Sequence, residues 1–504
     1  MKRASLPLLL SPLLLLLAIA LSSCAKETSI KELSASLEEL IADANGNPTD
    51  TTIKSLQVVI SSPEEWQVNS DASWLSTNSQ MGGISRTVVG IKVIPNLTGK
   101  ERTGQLTFST SNQSVAVKVK QLGGDTNIET VLYEIPVIFH VFYNEADKNN
   151  TDTLRRKYVL NSADAQVILE YINQLFGQQP RQVGNEIYRG IKRKYQQGQQ
   201  EVYHLPLETK IRFKLANEKP DGTRQSPAGI NAIAMDERSL DPKVIMSDKA
   251  GGRYHDMAWP IKQYINIYVF PFTRHQERAD QVVMGISHMP LALSSAPIEG
   301  LKQLGSQEEQ YIKEHGGLDQ FSNYNHCITL NSDGFEWRTW KETFLKADLG
   351  KNTLAHELGH YLGLYHTFSE VVGSDGNLVL DSCDDTDYCA DTQSYNRKQY
   401  EESRADIIAS GTTSLVQIIG LLMRNDCQSG RFEATNIMDY DFCHSDEWTP
   451  NQVSRMRQVL YNTYTTPGIK VASPRSLLKG YSPHQRVMVE GTPVAIPCRT
   501  QLIR

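Results

Sequence analysis

Three histidines fall within eleven residues in the run His356-Glu357-Leu358-Gly359-His360-Tyr361-Leu362-Gly363-Leu364-Tyr365-His366. His356 and His360 are four apart, so on a helix their imidazoles leave one face a turn apart and can share one metal ion at about 2.0–2.1 Å. Glu357 follows the first ligand directly. A carboxylate there can take the proton of an attacking water without occupying the metal, which is how a hydrolytic general base is placed. His366 can join the other two only if the helix stops before it. Gly363 permits the stop, because a left-handed C′ conformation costs glycine little and turns the chain back toward the metal. Leu354, Leu358, Tyr361 and Leu362 form the apolar side of this helix, which should pack against a sheet. Three neutral imidazoles leave one tetrahedral position open, as in a catalytic rather than a structural zinc site.

Further along stand Asn436-Ile437-Met438-Asp439-Tyr440 and then Trp448-Thr449-Pro450-Asn451-Gln452. Thr449 as N-cap, Pro450 at N1 and Gln452 at N3 predict a helix start. Between the histidines and Met438 lie Asp381, Asp384, Asp385, Asp387 and Asp391, five aspartates in eleven residues. Oxygen ligands at that density suit Ca²⁺, and a solvated acidic loop is the other reading.

The elements that must carry these residues begin near 128. Tyr133 to Val141 reads as a buried strand. Ser162 reads as the cap of a helix whose apolar residues Ala165, Ile168, Leu169, Ile172 and Phe176 end at Gly177. Ile211 to Leu215 and Tyr264 to Phe270 read as further strands, so this part is mixed α/β. Upstream, from about 52 to 122, the period is two: Val89, Ile91, Val93, then Leu106 and Phe108, then Val115, Val117 and Val119. That pattern predicts a small antiparallel β-sandwich.

The chain has 504 residues, 39% hydrophobic and 21% charged, with a net charge of -6. This is a globular, multidomain composition without the basic footprint of a nucleic-acid binder. Lys2 and Arg3 precede an apolar run from Leu6 to Leu21 that is interrupted by Pro7 and Pro12 and too short to span a bilayer, so residues 1–23 read as a signal peptide. Leu21-Ser22-Ser23-Cys24 resembles a bacterial lipobox, which implies a lipidated Cys24, a tether over 24–51 and an exported membrane lipoprotein, at the outer membrane or cell surface. The six later cysteines, an even number in an exported chain, are compatible with disulfides.

Glu65-Trp66-Gln67-Val68, Ala72-Ser73-Trp74-Leu75, Pro95-Asn96-Leu97-Thr98, Arg102-Thr103-Gly104 and Val119-Lys120-Gln121 resemble the BACON domain over residues 52–124. The resemblance implies an immunoglobulin-like fold and suggests glycan contact, although Trp66 and Trp74 suit the core of a sandwich better. The extended histidine motif resembles that of metzincin zinc proteases. Together with Met438 and the helix start at Thr449, it is similar to the pappalysin family, M43, over most of a domain at 128–470. By that resemblance His356, His360 and His366 bind zinc, Glu357 is the base, Met438 is the apolar floor of a Met-turn and Tyr440 steadies the oxyanion. It also implies a structural calcium at the aspartate run and disulfides pairing Cys383 with Cys427 and Cys389 with Cys443, among which spacing alone does not choose. Cys327 and Cys498 are left over as a further pair, and residues 471–504 lie beyond the family's usual end.

The function expected is a lipid-anchored zinc endopeptidase acting on proteins or peptides. The alternatives are a glycan-binding or adhesive lipoprotein with a supporting metal domain, and a zinc hydrolase acting on a non-peptide bond. The intact Glu357 favours an enzyme.

Overall fold

The computed structural model describes residues 30–123 (less 45, 51, 54, 73, 94–95 and 97–99), 131–145, 160–177, 181–183, 186–188, 193–197, 200–204, 207–273, 281–314, 318–332, 344–372, 378–409, 420–427, 430–440, 442–468, 486–487 and 495–501. The expected leader over 1–23 and Cys24 lie outside them. The described residues fall into two compact units, one within 30–42, 47–93 and 102–121, the other within the remainder.

In the first unit the strands are β1 (Ser34–Ala35), β2 (Glu39–Ala42), β3 (Gln57–Ser62), β4 (Trp66–Ser70), β5 (Leu75–Thr77), β6 (Met81–Gly82), β7 (Ser85–Val93), β8 (Arg102–Ser109) and β9 (Ser114–Gln121). They form two sheets, ordered β1-β3-β7-β5 and β2-β9-β8-β4-β6. Alternate apolar residues point inward, Val58 and Ile60 from one sheet and Leu106, Phe108, Val117 and Val119 from the other, and they share one core. Trp66 is part of that core, edge-on to Phe108 with ring centroids 5.3 Å apart, so its face is closed to a sugar. Trp74 is partly buried beneath the Arg102 guanidinium. The expected tether needs correction. β1 and β2 fall inside 24–51, and β2 runs parallel to β9 with Leu40 and Ala42 buried. Two- and four-residue strands are too short to show a period in the sequence.

The second unit is built on a mixed sheet of β10 (Tyr133–Asn144), β11 (Ile211–Leu215), β12 (Ile230–Met235), β13 (Ile265–Phe270), β14 (Gln281–His288), β15 (Ile328–Asn331) and β16 (Ala495–Gln501). Its order is β11-β10-β13-β15-β14-β16, with β12 also pairing β10. The first half of β10 pairs β11 and the second half β12, both parallel, as are β13 on β10 and β15 on β13. Only β14 and β16 run antiparallel to their neighbours. Part of the 471–504 segment, expected to lie beyond the family's usual end, is thus a strand of this sheet.

Both faces of β10 are covered, which is why it reads as an almost unbroken apolar run. Ile135, Val137, Phe139 and Val141 face a core shared with helix α1 (Ser162–Gly177) and helix α2 (Phe344–Tyr361), whose Leu354, Leu358 and Tyr361 are buried there as the motif predicts. His140 lies on the other face. Its Nε2 donates to Asn266 Oδ1 at 3.0 Å and its Nδ1 accepts from Asn231 Nδ2 at 2.9 Å, so the neutral ring satisfies both neighbouring strands. The cap of α1 is Asn161 rather than Ser162. Asn161 Oδ1 accepts from Asp164 N at 2.9 Å, while Ser162 turns away to donate to Ala228 O.

Candidate metal centre

The end of α2 shapes the ligand set. Gly363 has φ +90°. Its N–H donates to His360 O at 2.8 Å and Leu364 N–H donates to Gly359 O at 2.9 Å, the paired bonds of a Schellman turn. The turn does two things. It sends the chain back so that His366 meets the two helical histidines, and it aims Leu364 O at His360 Nδ1, 2.7 Å away.

The outer nitrogens all face oxygens. His356 Nδ1 lies 2.8 Å from Ile437 O, His360 Nδ1 meets Leu364 O, and His366 Nδ1 lies 2.9 Å from Glu370 Oε1. Carbonyl oxygens only accept, so Nδ1 of His356 and of His360 carries the proton and their Nε2 atoms present lone pairs. The Nε2 atoms converge, with His366 Nε2 lying 3.1 Å from His360 Nε2 and 3.1 Å from His356 Nε2. Burial pushes the His356 imidazole down to about 3, with His366 beside it as a lesser cause, and takes His360 well below its usual range. Three buried imidazoles whose Nε2 atoms face one another fit a single divalent cation, and the nitrogen spacing is close to that of tetrahedral ligands at 2.0–2.1 Å. Among the described residues no other group of three or more His, Cys, Asp or Glu converges in this way.

Glu357 is buried between the ligand face and β14. A Cβ added at Gly285 would stand 2.7 Å from Glu357 Oε1, so the backbone of β14 lies directly against the carboxylate. Met438 is buried and touches α2 at Gly359, the residue before His360. The ring of Tyr440 sits 4.5 Å from that of His366, centroid to centroid, with the Arg397 guanidinium 5.2 Å from the Tyr440 ring.

The backbone of Met438 is held through Asn436, which is itself held by Gln452. Asn436 Oδ1 accepts from Met438 N at 2.9 Å and from Gln452 Nε2 at 3.0 Å, and Asn436 Nδ2 donates to Gln452 Oε1. Helix α3 (Arg397–Ala409) precedes helix α4 (Pro450–Asn462), and Gln452 is also the N3 residue of the capping box with Thr449 that opens α4. Asp439, next to Met438, pairs in the interior with Arg424 at 3.1 Å and accepts from Tyr395 OH at 2.5 Å.

The aspartate run is not gathered into one site. Asp381 binds Lys398, Asp384 accepts from Ser382, and Asp391 Oδ2 accepts from Asn451 N at the start of α4. Asp387 is buried, accepting from Thr392 and Cys389 N, and burial, then the charge of Asp385, pushes its carboxyl well up. No three of these carboxylates converge among the described residues.

Of the expected disulfides, Cys383–Cys427 is formed. The others need correction. Cys389 is a free thiol, and so is Cys443, whose Sγ instead bonds Asn436 O at 3.1 Å and accepts from Ser445 N. Cys327 is free and buried. Cys498 belongs to β16 and Cys327 adjoins β15, with β14 between them, so two strand spacings of about 4.8 Å exceed the reach of a disulfide. Glu370, Gly285 and the Asn436–Gln452 pair were not singled out by the sequence reading. Only the Gln452 cap had a local signal.

Comparison with known proteins agrees with this geometry. Residues 340–461 match the family Peptidase_M43, described as pregnancy-associated plasma protein-A, and residues 64–122 match BACON, described as a putative N-terminal binding domain. Over 109 residues it is 35% identical to extracellular metalloproteases of Arthroderma benhamiae and of Trichophyton verrucosum, which covers 21% of this chain. The chain spans 30% of the length of each of those relatives. Among solved structures, mature mirolysin of Tannerella forsythia in complex with a cleaved peptide is 19% identical with a TM-score of 0.36, covering 65% of this chain and 91% of that one. A Bacteroides ovatus GH5 xyloglucanase with a bound heptasaccharide is 23% identical over 25% of this chain, with a TM-score of 0.16.

Proposed function

We propose that this chain is a zinc-dependent endopeptidase, exported and tethered to a membrane by a lipid on Cys24. The observation that carries the enzymatic reading is the convergence of the Nε2 atoms of three buried histidines beside a buried glutamate that is not one of that group. His356, His360 and His366 would hold the ion. Zinc in such a site supplies Lewis acidity, which makes a water nucleophilic at neutral pH and polarises a carbonyl.

The chain's own residues do the rest. Glu357 accepts the proton of the attacking water as the C–O bond forms, and then delivers it to the amine nitrogen as the C–N bond breaks. The Tyr440 hydroxyl donates to the oxygen on which charge develops. Met438 and the packed face of α2 keep water from the far side of the ligands. The M43 match over residues 340–461 supports peptide substrates.

The test is Glu357→Gln with a quenched peptide and a casein substrate. It should lose about 10²–10⁴-fold in kcat while retaining one zinc per chain. A variant that keeps most of its activity would refute the role of Glu357, and a wild-type protein that binds zinc but cuts no peptide would refute the peptidase reading. Sedimentation of the wild type with membranes, and of Cys24→Ser without them, checks the anchor.

A further inference from the structure

The backbone of Gly285 touches Glu357, so a peptide carbonyl brought to this carboxylate must come in along β14. An extended peptide binds such a place by adding a strand to the edge, with backbone bonds supplying affinity and side-chain pockets supplying choice. That edge is taken. β16 pairs antiparallel along the whole of β14, from Gln281 opposite Gln501 to His288 opposite Ala495, and sets Cys498 opposite Gly285 itself. The ladder shifts register between Val283 and Gly285.

One side chain of β16 is anchored. Ile496 is buried in a cluster with Met289, Ala292, Ile298, Leu301 and Val459, with Tyr365 of the ligand motif packed against it. The next residue is Pro497, opposite Ile286, which has no N–H to give to the ladder. A strand whose ladder lacks a donor at Pro497 is suited to being displaced.

We propose that residues 495–501 occupy the substrate groove as an internal, substrate-like strand that keeps the enzyme latent until it is displaced or removed. The Ile496 pocket is then the subsite that selects a branched aliphatic side chain in a peptide. This rests on the peptidase reading.

The experiment compares the full chain with one ending at residue 494, reading hydrolysis of a quenched peptide and amide hydrogen exchange over 281–288. The shortened chain should show a KM at least about tenfold lower, because binding is no longer discounted by the fraction of open groove, with faster exchange over 281–288. The synthetic peptide Ala495–Gln501 should compete with substrate and restore the protection. Unchanged KM and unchanged exchange would overturn the proposal. Should the shortened chain fail to fold, Ile496→Lys in the full chain must give the same two changes, and their absence overturns it equally. A shortened chain that binds the synthetic strand but hydrolyses nothing would refute the peptidase reading while upholding the pairing.

Discussion

A Cβ at Gly359 would stand 2.4 Å from the Sδ of Met438. The turn of α2 that carries His360 and Met438 thus meet with no room for a methyl group. Close packing of this kind resists volume change, so the position of Met438 is set by the same helix that presents two of the three histidines.

The Gly285 contact gives a prediction about the base. Gly285→Ala forces Glu357 to move, because its Cβ would fall 2.7 Å from Oε1. A displacement near 1 Å costs about 10²-fold in rate, so kcat should fall by about that factor with zinc content unchanged. Wild-type kcat in a folded Gly285→Ala protein would show that β14 does not position the base.

Glu370 should matter to the metal rather than to the proton transfer. Its carboxylate fixes the outer nitrogen of His366, and loss of such a partner weakens metal affinity by about 10–100-fold. Glu370→Gln should therefore release zinc to a competing chelator at correspondingly lower concentration, and recover kcat when zinc is in excess. Equal chelator profiles for the two proteins would contradict this.

Gly363→Ala should cost stability and metal together. At φ +90° an alanine is strained, by about 1–3 kcal/mol, and its Cβ would also lie 2.7 Å from Val459. The carbonyl of Leu364, which holds His360, depends on the same turn. Thermal unfolding should shift downward and zinc should be retained less well after dialysis. A variant with both properties intact would mean that the turn is not what fixes His360.

Acid should destabilise the metal-free protein through His140. Burial lowers this ring to about 4, below its ordinary 6.5. The unfolded chain thus takes the proton first as pH falls. The stabilising contribution is complete above about pH 6.5 and is lost on the way down to about 4, up to about 3 kcal/mol. His288, lowered to about 3 by burial, adds to the same acid loss. In His140→Gln the fall in the urea midpoint between pH 7 and 4.5 should be shallower by one proton, and an identical fall would refute the assignment.

What could be read in the sequence was local. Helical spacing placed His356 and His360 together, the glycine turn brought in His366, and the capping box at Thr449 and Gln452 formed as its residues predict. Alternation located β7, β8 and β9. The contacts that were not legible join distant stretches: nothing in the spacing ties Gly285 to Glu357 or sets β16 on β14, because register over such separations is decided by tertiary packing. Glu370 is an ordinary acidic residue until its neighbour is known. Asn161 and Ser162 are both good caps standing side by side, and packing against Ala228 chose between them. The second disulfide was expected from family likeness alone, and the Cys443 thiol instead donates to the carbonyl of Asn436.

The hydrogen bonds of Gln452 make one cooperative unit of two places that look separate. Its carboxamide closes the first turn of α4 at Thr449 and also grips Asn436, which in turn holds the backbone of Met438. Fraying of that helix end cannot occur without loosening the backbone of Met438. Regions joined in this way open with a single free energy, so the thermal fragility of the start of α4 and that of the Met438 turn are one quantity.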